Sequence, residues 1–185
     1  MLLTSLDLSS FNFSSLVNVV AMFHNCYSLK YLALPNYMPL INDTSKMFEY
    51  CVHLTYLNLS FLQSATKLKT VYGMFLDCYR LSEIVFPEVK ARELERANAM
   101  FQGCTHIKSI NLEGLNTNSI KDIDSMFEEC KNLEYLNIKN LDTRNTKNVE
   151  NIFKNISKKI TIIYNPRITG PELRREIMKV TLDKK

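Results

Sequence analysis

The 185-residue chain is long enough for one domain with a sizeable core, and its 46% apolar and 23% charged content is ordinary for a globular fold. No run of about 18 apolar residues occurs, which excludes a membrane-spanning helix. The net charge of +4 is mild and falls late, on Lys158, Lys159, Arg167, Arg174, Arg175, Lys179, Lys184 and Lys185. That pattern reads as an exposed, solvated end rather than a nucleic-acid surface.

From the N-terminus, Met1-Leu2-Leu3 leads at once into Leu6-Asp7-Leu8. No basic stretch, apolar h-region or small-residue cleavage site precedes it. Either the protein is intracellular or the chain is a piece of a longer one, and the second reading is favoured. An L-x-L pair then recurs as Leu6/Leu8, Leu32/Leu34, Leu57/Leu59, Ile84/Phe86, Ile110/Leu112, Leu136/Ile138 and Ile162/Tyr164. Period-two alternation over so few residues predicts seven short strands, each with one buried face. A further apolar residue follows each of the first six pairs (Phe11, Tyr37, Leu62, Val89, Leu115, Leu141), then mostly polar linkers such as Asn116-Thr117-Asn118-Ser119.

The second half of each unit reads M-F-x-x-C-x-x-L. Its methionines are Met22, Met47, Met74, Met100 and Met126, with Ile152 as a sixth, degenerate copy, at steps of 25, 27, 26, 26 and 26 residues. Such a period is the signature of a solenoid, in which no unit buries its own apolar face and stability comes from stacking neighbours. Ile120, Ile123, Met126, Phe127 and Cys130 fall at i, i+3, i+6, i+7 and i+10, which predicts a short helix of about three turns in every unit. The expected fold is therefore an α/β solenoid, a right-handed leucine-rich-repeat-like coil. It has a parallel sheet of short strands on the inner face and short helices on the outer face. The solenoid spans residues 1–164 in six units. Residues 165–185 form a C-terminal capping helix and basic tail, with Thr169 or Gly170 as the helix cap and Leu173, Ile177 and Val180 on its apolar side.

Cys26, Cys51, Cys78, Cys104 and Cys130 share one frame position, so they stack in one inward column. If outer helices set the spacing at about 8–10 Å, neighbouring thiols lie too far apart for disulfides and stay reduced. Phe23, Phe48, Phe75, Phe101, Phe127 and Phe153 form a second buried column. Cys51-Val52-His53 and Cys104-Thr105-His106 sit two units apart and cannot share one zinc. With only four glycines there is no phosphate-binding loop, and no nucleophile motif occurs. The expectation is no enzyme, no metal and no cofactor.

Strand residues that alternate away from the core are different. The residue before each pair is Ser5, Tyr31, Tyr56, Glu83, Ser109, Tyr135 or Thr161. The residue between its members is Asp7, Ala33, Asn58, Val85, Asn111, Asn137 or Ile163. Tyrosines offer rigid amphipathic area and asparagines offer hydrogen bonds. The candidate ligand face is thus Tyr31, Tyr56, Asn58, Glu83, Asn111, Tyr135 and Asn137, set against the plainer reading of solvent-facing ladders along a sheet.

The run L-D-L-S-S-F (Leu6 to Phe11), followed by V-x-x-M-F-x-x-C-x-x-L-x-x-L (Val19 to Leu32), resembles the repeat of BspA-like leucine-rich-repeat surface proteins. The likeness covers residues 3 to about 164. The second and fourth repeats depart from it with Pro35-Asn36-Tyr37 and Pro87-Glu88-Val89, and the sixth lacks its Cys. What the resemblance implies is a solenoid on a microbial cell surface or secreted, a non-catalytic adhesion module that contacts a host or cell-surface protein. The alternative is a cytoplasmic scaffold or secreted effector that recruits a partner protein, which five free thiols and the lack of a leader favour.

Overall fold

The computed structural model describes residues 3–115 and 117–182. Of the sequence expectations, those on Asn116, Lys184 and Lys185 lie outside the described residues. The chain is a β-solenoid of about six turns. Its seven three-residue strands are β1 (Ser5–Asp7), β2 (Tyr31–Ala33), β3 (Tyr56–Asn58), β4 (Glu83–Val85), β5 (Ser109–Asn111), β6 (Tyr135–Asn137) and β7 (Thr161–Ile163). All pairing is parallel, and each central apolar residue faces its counterpart one unit on: Leu6 opposite Leu32, Leu57 opposite Ile84, Ile110 opposite Leu136 and Leu136 opposite Ile162. The strands group as β1–β2, β3–β4 and β5–β6–β7. The first break coincides with the 25-residue step. The 27-residue step places its extra residue in a short 3-10 turn, Ser60–Ser64, with Phe61 and Leu62 buried.

Among the described residues the expected outer helices are absent. Where the M-F-x-x-C segment was read as helical, every unit instead forms a ribbon of consecutive turns. In the first unit Met22, His24 and Cys26 donate their N–H groups back to the carbonyls of Val19, Ala21 and Phe23. The alternate residues Ala21, Phe23 and Asn25 donate to Ser45, Met47 and Glu49 of the next unit at 2.9–3.0 Å. The same three rungs recur in each of the five steps. A helix would spend all of these donors on itself, four residues back. The ribbon redirects half of them through paired left-handed residues: Ala21 and Asn25, Lys46 and Tyr50, Gly73 and Asp77, Ala99 and Gly103, Ser125 and Glu129, Asn151 and Asn155. Each turn that places its third residue at positive φ reverses the chain without winding it.

The ribbon opens on a polar residue that bridges to its neighbours in one unbroken column, Asn18, Asp43, Thr70, Arg96, Asp122 and Asn148. Side-chain oxygens of Asn18, Asp43, Thr70, Asp122 and Asn148 each accept the N–H two residues on, which starts the first turn. Arg96 makes no such bond and lies over the Tyr72 ring at 5.4 Å.

Between sheet and ribbon runs the core. Leu29, Leu54, Leu81, Ile107 and Leu133 are fully buried, as are Met47, Met74, Met100 and Met126. The six phenylalanines stack nearly parallel, with successive ring centroids 5.3–6.0 Å apart. That spacing is close to the separation of adjacent strands and far below that of packed helices. It also replaces the expected reason for the free cysteines. Neighbouring thiols are not held apart by helix packing. Each is occupied instead, Cys51, Cys78, Cys104 and Cys130 donating S–H to the carbonyls of Phe23, Phe48, Phe75 and Phe101 at 3.0–3.2 Å. Burial pushes the Cys51 thiol up to about 12 and raises those of Cys78, Cys104 and Cys130 as well.

One α-helix follows the last unit, α1 (Pro171–Leu182). Its first intrahelical bond runs from Arg174 N–H to the Gly170 carbonyl, so Gly170 is the cap and proline takes the first helical position. Gly170 N–H is held by Thr143 Oγ1 at 2.9 Å, and a Cβ at this position would strike the Thr143 carbonyl. Leu173 and Ile177 join the apolar core, with Val180 packed at its margin.

Candidate binding face

The residue preceding each strand's central apolar side chain is exposed in all seven strands. Tyr31 is 52% exposed, Tyr56 40% and Tyr135 38%. Tyr31 stands opposite Ser5 on the adjacent strand, Tyr56 opposite Glu83, and Tyr135 between Ser109 and Thr161. Val85 and Ile163 are also exposed in the neighbouring row, so the sheet presents rings and aliphatic groups interleaved with small polar residues.

The asparagines also close turns. Asp7, Asn58, Asn111 and Asn137 each accept the N–H of the residue two further on, at 2.9–3.1 Å, and so turn the chain out of its strand. The Ser9 hydroxyl and N–H hold the Asp7 carboxyl below its usual value. Asn58 and Asn111 remain exposed, with their amide NH2 groups unpaired among the described residues. Asn137 does not belong with them. It is only 5% exposed and its Nδ2 donates to Glu113 Oε2 at 3.1 Å. Glu113 is drawn over it by Lys139 at 3.4 Å, and its backbone carbonyl accepts from Asn140 Nδ2. The sequence placed Asn137 on the ligand face by alternation alone; its side chain is spent on joining two units.

The histidines find a structural role that the frame could have revealed. His53, His106 and Asn132 all fall two residues after the repeat's Cys. The ring Nδ1 of His53 reaches the Tyr27 carbonyl and that of His106 the Tyr79 carbonyl, both at 2.6 Å, and Asn132 Nδ2 reaches Thr105 O at 2.6 Å. Each clips its unit to the one before. Aligning these three positions would have shown that Asn does the same work as His.

On the ribbon side several charged residues are paired. Buried Glu49 lies 2.7 Å from His24 Nδ1 and 3.3 Å from Lys46, and Glu128 accepts from Lys154 at 2.7 Å and Gln102 at 3.0 Å. Burial raises the carboxyls of Asp77 and Asp124. Among the described residues no three His, Cys, Asp or Glu side chains converge on a metal-sized point, and no helix is long and apolar enough to cross a membrane.

This geometry can be set beside known proteins. The family described as "BspA type Leucine rich repeat region (6 copies)" matches residues 3–111, and "Mycoplasma protein of unknown function, DUF285" matches residues 69–163. The chain belongs to both families. The BspA-type assignment accounts for the repeat frame and the parallel solenoid. Among solved structures the chain is similar to a leucine-rich repeat protein from Bacteroides ovatus ATCC 8483, at 14% identity and a TM-score of 0.44, covering 88% of this chain and 45% of that one. It is also similar to a leucine rich cell surface protein from Faecalibacterium prausnitzii A2-165, at 18% identity and a TM-score of 0.36, covering 88% of this chain and 60% of that one. The chain thus spans about half the length of these two proteins. No curated protein matches it.

Proposed function

We propose that the chain is a non-catalytic protein-binding module that works in adhesion, with the sheet as its binding face and Tyr31, Tyr56 and Tyr135 as the anchors. Asn58, Glu83 and Asn111 supply polar contacts around them, and Asn137 holds the scaffold. The observation that carries the reading is the row of half-exposed tyrosines on the sheet face, beside exposed Val85 and Ile163. Amphipathic rings on a rigid sheet cost little entropy to immobilise, which is why interfaces favour them. Membership of the BspA-type family supports a place on the microbial cell surface or outside the cell. In this reading residues 1–164 are the binding solenoid and 165–185 its C-terminal cap.

A second reading is a cytoplasmic scaffold or secreted effector that recruits a partner, favoured by the five free cysteines. Surface plasmon resonance against a panel of extracellular-matrix and cell-surface proteins tests the first. Wild type should bind at least one member, and Tyr31→Ala/Tyr56→Ala/Tyr135→Ala should weaken that binding at least about tenfold, while Val20→Ala/Met22→Ala, exposed on the ribbon, leaves it intact. Equal binding by wild type and the triple variant would end the sheet-face assignment.

A further inference from the structure

Beside the tyrosines, at the N-terminal corner of the strands, the chain carries a two-file column of exposed cations: Lys30 and Lys108 one residue ahead of β2 and β5, and Arg80 and Lys158 three residues ahead of β4 and β7. Among the described residues none of the four has a carboxylate within 4.0 Å. Some lysines elsewhere in the stack have an acid one unit away, as in Lys121–Glu95 at 2.7 Å, Lys139–Glu113 at 3.4 Å and Lys154–Glu128 at 2.7 Å. The corner lacks that provision. Its acids are Glu83 and Glu134, both exposed and neither ion-paired, and its remaining cation near β6, Lys131, is taken by Glu129 at 2.8 Å. His53 and His106 lie in the same column with their Nδ1 atoms committed to backbone carbonyls.

We propose, on the basis of the sheet-face reading, that the partner segment is an extended acidic polypeptide lying across the strands, its carboxylates on Lys30, Arg80, Lys108 and Lys158 and its backbone over the tyrosine row. Lys30 is the immediate neighbour of Tyr31, and Lys108 precedes Ser109, which faces Tyr135. From β2 to β7 there are five steps of about 4.8 Å, so the column is about 24 Å long, which an extended chain of seven or eight residues spans. Unpaired surface cations lose no internal partner on binding, so their attraction adds to association and fades with salt.

The probe is a fluorescein-labelled synthetic peptide of about ten residues, alternating Glu and Ser, followed by fluorescence anisotropy at low and physiological salt. Wild type should bind it and ignore the same-length Ser-Gly peptide. Lys30→Glu/Arg80→Glu/Lys108→Glu/Lys158→Glu should weaken binding at least about tenfold and flatten its salt dependence. Lys67→Glu/Lys90→Glu/Arg92→Glu/Lys147→Glu changes net charge equally at exposed, unpaired cations elsewhere and should weaken it less than about threefold. Thermal melts confirm that both variants are folded. The proposal is overturned by equal losses in the two variants, by no binding beyond the Ser-Gly peptide, or by column-dependent binding of heparin without binding of the acidic peptide. If the column variant loses the peptide and the tyrosine triple variant does not, the acidic partner stands and the tyrosine anchors fall. The opposite pattern spares the anchors and removes the acidic partner.

Discussion

The two sides of each turn solve the same stacking problem with unequal rigour. The ribbon ties every unit to the next by three backbone rungs, a stacked phenylalanine and, in all but the last unit, a thiol-bearing cysteine, and its bridge column crosses all five steps without a gap. The sheet is made of three-residue strands and is interrupted twice, with a crack of about 10 Å³ lined by Ile84, Phe86, Phe101 and β5 at the second break. Side chains follow suit. Phenylalanine never varies on the ribbon, whereas the exposed sheet row runs Ser, Tyr, Tyr, Glu, Ser, Tyr, Thr. A side held mainly by repeated backbone bonds and buried rings leaves the other side's outward residues free to differ. Constraint sits on the ribbon and variation on the sheet.

The largest test of that division is to cut one ring from each side. Phe101→Ala removes the middle of the stack, a fully buried ring between Phe75 and Phe127, and should cost about 3–5 kcal/mol in urea unfolding. Tyr56→Ala, on the exposed sheet row, should cost less than about 0.5 kcal/mol. Comparable losses at the two sites would dissolve the contrast. Backbone conformation gives the next effect. Gly103 has φ +75°, and a Cβ there would collide with the Asp77 carboxylate, so Gly103→Ala should lose about 1–3 kcal/mol. Ala99→Gly, four residues away at φ +54°, should be neutral or slightly stabilising through relief of backbone strain.

The thiols supply a test without mutation. Folding raises the Cys51 pKa from an ordinary 9.0 to about 12, so the folded state holds its proton more tightly than the unfolded one. The sign follows: this contribution to stability is intact below about pH 9 and is lost as pH rises from there towards 12. In native protein at pH 8, iodoacetamide should reach half-buried Cys26 first and leave Cys51, Cys78, Cys104 and Cys130 unmodified until urea unfolds the chain. Mass spectrometry showing five equal rates would mean that the column opens readily.

Much of this was legible because a stacked fold repeats its constraints. Period, core positions, phenylalanine column and inward cysteines all follow from the spacing of Met22 to Ile152. The helix did not follow, because a chain of turns also returns apolar side chains every three or four residues to one side. Ile120, Ile123, Phe127 and Cys130 fit either geometry. A discriminating cue was present: six of the twelve left-handed positions are Gly, Asn or Asp, the residues that tolerate positive φ. Asn25, Asn151, Asn155, Asp77, Gly73 and Gly103 would be poor choices in a helix. Asn137 was misplaced for another reason. Alternation fixes which way a strand residue points, but its burial depends on Glu113 and Lys139 closing over it from the chain that follows β5 and β6.

The smallest effect asks whether the sheet side has fastenings of its own. His106 donates from Nδ1 to the Tyr79 carbonyl, and the equivalent Asn132 donates from Nδ2 to Thr105, so the requirement is for one N–H at that point rather than for an imidazole. His106→Ala should cost about 0.5–1.5 kcal/mol, the ordinary net worth of a hydrogen bond, and His106→Asn should recover most of it. If Asn fails to rescue Ala in urea melts, His106 acts through its ring and the three positions are not equivalent. Rescue would show that one N–H is enough at the three junctions that carry such a clip, against three backbone rungs at every junction of the ribbon.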